Sequence, residues 1–152
     1  MRVFIAILLF VSGIFAYDIG DKIDEDVASK LGLKSDKIYV LDFFASWCGS
    51  CKKEMPLLSA LNKNIDKNRV EIIGIDADEN PKKGMAFQDE MKKKGSLNFR
   101  VYNDPKGEIV SKFNPVGFPA VYIVKDLKVV SAHMGAKDHI DRVISKEIEG
   151  LK

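Results

Sequence analysis

A chain of 152 residues with 46% apolar and 30% charged residues has the composition of one globular domain of ordinary size. Its formal net charge is +2, from 24 basic and 22 acidic residues. This balance argues against a nucleic-acid-binding protein, which would carry a concentrated basic surplus. The lysine-rich stretches at 82–83 and 92–94 are interrupted by acidic residues, which is typical of a solvated helix face.

The first sixteen residues differ from the rest of the chain. Arg2 is followed by an uncharged apolar stretch over 3–16, which has the layout of a secretory signal peptide with a cleavage point after Ala16. An uncleaved membrane anchor is the alternative, although as a helix this stretch would span only about 21 Å of a hydrocarbon core of roughly 30 Å. We therefore expect an exported, periplasmic protein with a signal peptide or anchor at 1–16 and one domain over 17–152.

Helix and strand patterns alternate along this domain. Apolar residues at helical spacing predict the helices, and continuous β-branched and aromatic runs predict buried strands. The predicted elements are, in order, a helix over 24–31, a strand over 37–45, a helix over 51–65, a strand over 70–76, a helix over 83–94, a strand over 97–102, a short helix or turn over 108–113, a hairpin of strands over 120–124 and 128–133, and a helix over 138–151. This order predicts an α/β fold with a central mixed sheet, parallel first and antiparallel at its end, and helices on both faces.

The chain contains two cysteines, Cys48 and Cys51, three positions apart. A bridge across so small a loop removes little entropy from the unfolded chain, so a reactive pair explains them better than a structural staple. They follow the predicted central strand and open a helix, where unpaired backbone N–H groups and the helix dipole stabilise a thiolate. We predict that Cys48 is exposed, acidic and the nucleophile, and that Cys51 resolves the mixed disulfide. Lys52 and Lys53 either lower the thiol pKa further or are ordinary exposed charges.

Residues 40–53 carry a resemblance to a known family, with the sequence VLDFFASWCGSCKK. This segment resembles the active-site stretch of the thioredoxins, and its continuation to Pro56 resembles the TlpA/ResA-like branch of exported thiol–disulfide oxidoreductases. Pro56 matches that family's helix-kinking proline, and residues 117–119 match its cis-proline loop. The resemblance covers residues 36–148 and implies a thioredoxin-like fold with an extra strand–helix insertion before the cis-proline loop.

Two acids are predicted to serve the dithiol. Asp42 lies on the predicted buried strand, six residues before Cys48, where thioredoxins carry a buried acid. A buried carboxyl has a raised pKa and can take a proton from Cys51. Glu54 matches a glutamate that the TlpA/ResA-like branch keeps near its dithiol; an exposed surface charge is the equal alternative.

Three residues are predicted to contact substrate: Trp47, Phe118 and Pro119. A cis bond at Pro119 would place the Phe118 backbone beside Cys48, where an extended substrate pairs as an added strand. The alternative is an ordinary trans proline that opens a strand. Phe118 departs from the small or β-branched residue common before this proline in the family, and Trp47 is interpreted as core packing, as a substrate contact, or as both.

These features predict a thiol–disulfide oxidoreductase that works through a mixed disulfide. The resemblance implies a reductase of disulfides in exported proteins, with apocytochrome c as one substrate and a membrane electron donor that restores the dithiol. We expect a monomer that needs no organic cofactor or metal. A zinc site of His133, His139 and the two cysteines is disfavoured because it would draw its four ligands from distant elements. The alternatives are a periplasmic thiol oxidase or isomerase, a non-catalytic thioredoxin-like module that binds a partner, and, with least support, a peroxidase.

Overall fold

The computed structural model describes residues 16–151, so the predicted leader lies outside the described residues except for Ala16. Ten elements follow one another in this range: α1 (Glu25–Leu31), β1 (Ile38–Phe44), α2 (Gly49–Asn64), β2 (Val70–Asp76), α3 (Pro81–Lys93), β3 (Arg100–Asn103), α4 (Glu108–Phe113), β4 (Ala120–Lys125), β5 (Lys128–Met134) and α5 (Ile140–Gly150). Among these described residues, no helix has both the length and the apolar character needed to span a bilayer.

The five strands form one mixed sheet in the order β3-β2-β1-β4-β5. β1 pairs in parallel with β2, which pairs in parallel with β3. On its other side β1 pairs antiparallel with β4, and β4 and β5 form the predicted hairpin. The predicted change from parallel to antiparallel pairing is confirmed. β1 lies at the centre, and all seven of its residues are buried, as expected of a strand rich in β-branched and aromatic residues with strands on both sides.

Helices cover both faces of the sheet, as predicted. Side chains alternate between the two faces along β1. Tyr39, Leu41 and Phe43 pack in the core cluster that α1 and α4 complete. Val40 and Phe44 pack in the opposite cluster, with residues of α2, α3 and α5. By the same alternation Asp42 lies on the face covered by α2, the helix that the cysteines open.

The bounds of several elements differ from the predicted ones for local reasons. α2 begins at Gly49, before the predicted start, because Cys48 is its N-cap residue. α3 begins at Pro81, since proline suits the first turn and the Asn80 side chain accepts a hydrogen bond from Lys82 N at 3.1 Å. β3 begins three residues later than predicted, where its pairing with β2 starts.

Candidate active site

The two cysteines lie where β1 ends and α2 begins, which confirms the predicted strand–helix setting. A short turn joins the two elements, closed by a hydrogen bond from Cys48 N to Ala45 O at 3.1 Å. Cys48 has an extended backbone, with φ −86° and ψ 100°, and is the N-cap residue of α2. Its side chain is therefore directed at the unpaired N–H groups of the first helical turn.

Cys48 and Cys51 form a disulfide, with their Cα atoms 5.3 Å apart. The Cys48 sulfur accepts a hydrogen bond from Cys51 N at 3.2 Å, and Ser50 Oγ lies 3.6 Å from the same sulfur. An acceptor at the N-cap satisfies a donor of the first turn, and the same donor and the helix dipole favour negative charge on that acceptor. The arrangement can therefore support thiol–disulfide exchange that begins at Cys48.

Cys48 is less accessible than predicted. In this disulfide-bonded form the residue exposes 5% of its surface, so the expected exposure of Cys48 is wrong. Both cysteines belong to the core cluster on the α2 face of the sheet. The physical reason is the N-cap geometry, which directs the Cys48 sulfur at Cys51 and the helix instead of at solvent.

An aromatic pair, one member of it exposed, lies beside the dithiol. Trp47 exposes 71% of its surface, so its interpretation as core packing is wrong. The centre of its ring is 5.7 Å from that of Phe118, which is half-buried and packs against the cluster that contains the cysteines. The Phe118–Pro119 peptide bond is cis. Val116 precedes this loop with 92% of its surface exposed, so an apolar surface is presented to solvent on this side of the molecule.

Asp42 and Glu54 are buried carboxyls on the α2 face of the sheet. Burial raises the pKa of Asp42 well above its usual range, and the nearby Glu54 carboxylate raises it further. Burial also raises the pKa of Glu54, while the Lys137 N–H, 3.2 Å from Glu54 Oε2, and the Lys137 charge lower it. Glu54 exposes 3% of its surface, so its interpretation as a surface charge is wrong. Two interacting buried carboxyls can take up and release protons near the dithiol.

Three polar residues near the dithiol had no role in the sequence analysis. The Asp78 carboxylate accepts two hydrogen bonds from Ser46, from its N at 2.7 Å and from its Oγ at 2.6 Å. Asp78 N in turn donates to Asp76 Oδ1 at 2.9 Å. The Asp-Ala-Asp pattern over 76–78 is the signal that could have identified the two acids. It begins at the last residue of β2, and because parallel β1 and β2 end at the same edge of the sheet, the residues after β2 lie beside the turn that follows β1.

Lys52 and the two histidines have neighbours other than the dithiol. Lys52 Nζ lies 5.4 Å from the centre of the Phe87 ring. His133 Nε2 is 3.0 Å from Glu147 Oε1, on the side of α5, and His139 is the N-cap residue of that helix. Over residues 16–151, no group of three or more His, Cys, Asp or Glu side chains is arranged to hold a metal ion.

Comparison with known proteins identifies relatives of the chain. Residues 20–133 match the family described as the AhpC/TSA family. The thiol–disulfide oxidoreductase ResA of Bacillus thuringiensis subsp. konkukian is 32% identical over 109 residues, which cover 70% of this chain and 61% of ResA. The chain therefore spans about three fifths of the length of this relative.

Solved structures show the same fold. The crystal structure of a DsbE thiol:disulfide interchange protein of Chlorobium tepidum matches with a TM-score of 0.74 at 21% identity, over 89% of this chain and 98% of that one. A protein of the thioredoxin-like superfamily matches with a TM-score of 0.68 at 19% identity, over 80% and 83% of the two chains. The predicted thioredoxin-like fold is confirmed.

Proposed function

The chain belongs to the AhpC/TSA family of thioredoxin-like proteins, and from this premise we propose that it is a thiol–disulfide oxidoreductase that reduces disulfides in exported proteins. The observation that carries the proposal is the position of the Cys48 sulfur at the open end of α2, where it accepts the Cys51 N–H at 3.2 Å. A sulfur in this position ionises readily, and the thiolate is the form that attacks a disulfide.

The reaction passes two electrons from the dithiol to the substrate. The Cys48 thiolate attacks one sulfur of the substrate disulfide and displaces the other sulfur as a thiolate, which leaves a mixed disulfide. The Cys51 thiolate then attacks the Cys48 sulfur, releases the second substrate thiolate and forms the Cys48–Cys51 disulfide. The disulfide-bonded form of the chain is the product of this cycle, and an electron donor must reduce it before the next turnover.

Cys51 must lose its proton before it can resolve the mixed disulfide. Cys51 is buried, so bulk water has poor access to its thiol. Asp42 lies on the sheet face that α2 covers, and burial raises the pKa of its carboxyl, which suits it to accept a proton at neutral pH. Glu54, one turn after Cys51 and also buried, interacts with Asp42 and sets how readily that acid ionises.

The substrate we propose is an extended segment of an exported protein that contains a disulfide. Trp47, Val116 and Phe118 present apolar surface on the side of the Phe118–Pro119 loop, and a segment added as a strand along this loop would contact it. The resemblance to the TlpA/ResA-like branch favours apocytochrome c, whose haem-binding cysteines must be thiols. We place the protein in the periplasm, where disulfides persist, and infer that a membrane protein supplies the electrons.

The equilibrium potential of the Cys48–Cys51 pair tests the direction of exchange. We expect a value near −270 mV, as in thioredoxin, together with insulin reduction. A value near −120 mV would instead identify a thiol oxidase. The absence of a reversible couple would leave a module that binds a partner without catalysis. The Cys51→Ala variant, which cannot form the disulfide, is the matched control for both assays.

A second experiment tests the substrate class. A peptide with an oxidised Cys-x-x-Cys-His motif, the haem-attachment motif of c-type cytochromes, is mixed with the reduced Cys51→Ala variant. We expect a trapped mixed disulfide between Cys48 and the peptide, because the resolving sulfur is missing. A disulfide-containing peptide of unrelated sequence, mixed with the same variant, is the control for preference between the two peptides. Equal trapping of both would contradict a specific role in cytochrome maturation.

A further inference from the structure

The turn that presents Cys48 is attached to the neighbouring strand by side-chain hydrogen bonds. β1 and β2 end together, and Ala77 N donates to Phe44 O at 2.9 Å just beyond the paired residues. One residue further, the Asp78 carboxylate accepts hydrogen bonds from both donors of Ser46, its N–H and its hydroxyl. Ser46 lies two residues before Cys48, so Asp78 restrains the segment between the strand and the nucleophile.

Asp78 is itself held in place by a buried network. Its N–H donates to Asp76, whose other oxygen accepts a hydrogen bond from Gln88 Nε2 at 2.6 Å. Gln88 also donates to Asn103 Oδ1 at 2.6 Å, which connects the network to β3. Asp76, Asp78 and Gln88 are all buried, and buried polar groups with strong partners are costly to displace. The network therefore gives Ser46 a rigid support.

We propose that Asp78 is a positioning residue for Cys48. By holding Ser46 through two hydrogen bonds, it fixes the turn over 45–48 so that the Cys48 sulfur meets the first-turn N–H of α2. Without this restraint the turn samples other conformations, in which the sulfur loses its contact with Cys51 N. The inference rests on Cys48 being the attacking sulfur of the proposed function, and it holds for either direction of exchange.

The test measures Cys48 in the reduced protein, with thiolate absorbance against pH and the rate of alkylation by iodoacetamide. For Asp78→Ala we expect Cys48 to ionise at a higher pH than in the unmodified chain and to alkylate about tenfold more slowly at neutral pH, because the thiolate is the reactive form and a rise of about one unit in its pKa lowers the thiolate fraction about tenfold. Ser46→Ala keeps the backbone hydrogen bond, so its effect is in the same direction and smaller.

The Asp78→Asn variant separates position from charge. Its amide oxygen can accept from Ser46 N and its amide nitrogen can donate to Ser46 Oγ, so we expect it to restore most of the reactivity lost in Asp78→Ala. Glu79→Ala removes an exposed carboxylate from the adjacent position and is the matched control, with no change expected.

Any one of three results would overturn the inference. Asp78→Ala could show the thiolate titration and alkylation rate of the unmodified chain, Asp78→Asn could alkylate as slowly as Asp78→Ala, or Glu79→Ala could alkylate as slowly as Asp78→Ala. If Asp78→Ala does not fold, Ser46→Ala decides, and it must alkylate more slowly than Glu79→Ala. A Cys48 that titrates as a free thiol in the unmodified chain would instead contradict the proposed function, so the two failures are distinguishable.

Discussion

Two pairs of buried acids lie near the dithiol, and they differ in the number of hydrogen bonds that their carboxyls accept. Asp76 and Asp78, at the end of β2, accept four hydrogen bonds, from Ser46, from Asp78 N and from Gln88. Among the hydrogen bonds of the described residues, the carboxyls of Asp42 and Glu54 take part in one, from Lys137 N to Glu54. The first pair is therefore held by several polar partners, whereas the second is buried with a single hydrogen bond between its two carboxyls and the rest of the described chain.

The difference in hydrogen bonding changes what burial does to each acid. Burial raises the pKa of Asp76 to about 6, against the opposing effect of the hydrogen bonds from Asp78 N and Gln88. Burial and the Glu54 charge raise the pKa of Asp42 well above its usual range, and no hydrogen bond opposes them within the described chain. Burial alone therefore does not set the pKa of an acid, because the hydrogen bonds that its carboxyl accepts oppose the effect of burial.

The largest expected effect comes from removing Asp42, the proton acceptor that we propose. Asp42→Asn should lower the turnover of insulin reduction about 10²-fold at neutral pH, the usual contribution of a general base. Stopped-flow measurement should show mixed-disulfide formation by Cys48 retained and its resolution by Cys51 slowed. Asp89→Asn, an exposed acid on α3, is the control. Unchanged turnover in Asp42→Asn would remove the functional distinction between the two acid pairs.

The second prediction disturbs the hydrogen-bonded pair through a neighbouring glycine. A Cβ at Gly84 would lie 3.1 Å from Asp76 Cγ and 3.2 Å from Oδ1, with Oδ2 nearer still. Because α3 or the buried, hydrogen-bonded Asp76 carboxylate must shift to accept it, Gly84→Ala should lower the free energy of unfolding by about 1–3 kcal/mol in denaturant titration. Gly150→Ala, at the end of α5, meets nothing within 4 Å and is the matched control. Equal stability of the two variants would show that the Asp76 network is loosely packed.

A third prediction concerns the pH dependence of stability. The pKa of Asp42 is higher in the folded chain than the usual 3.8, so the folded state binds more protons than the unfolded state between these two values. Stability therefore falls as pH rises from about 4 through that window. Asp42→Asn lacks this titrating carboxyl and therefore lacks the loss. The free energy of unfolding of the variant, minus that of the unmodified chain, should therefore increase with pH across the window. The total increase is about 1.4 kcal/mol for each unit by which folding raises the pKa of Asp42. Urea titrations of the oxidised protein measure this gain, and a pH-independent difference between the two proteins would contradict the expected sign.

The smallest effect is expected at an exposed acid. Glu90 Oε1 lies 2.5 Å from Lys94 Nζ on the surface of α3, where solvent screens the pair. Glu90→Gln should leave the thermal unfolding midpoint and the turnover unchanged within experimental error. A measurable loss of either would mean that surface charge contributes to the differences attributed to the buried pairs.

Much of the architecture could be predicted because it depends on local patterns. The β-branched and aromatic run over 37–45 predicted the central strand, and the hairpin followed from two strand patterns with a short connection. The setting of Cys48 and Cys51 followed from the order of a strand and a helix. The burial of Asp42 was also predictable, since it interrupts a run in which every neighbour is apolar.

The contacts that tune the site depended on tertiary structure. Ser46 and Asp78 are 32 residues apart in the chain, and Glu54 and Lys137 are 83 apart. No local pattern relates such positions, because their distance depends on how the strands and helices pack. Periodicity and spacing along the chain are enough to locate the strands, the helices and the cysteine pair between them. Which acids become buried, and which groups they bond, depends on how these elements pack, because a hydrogen bond requires distant groups to come within about 3 Å.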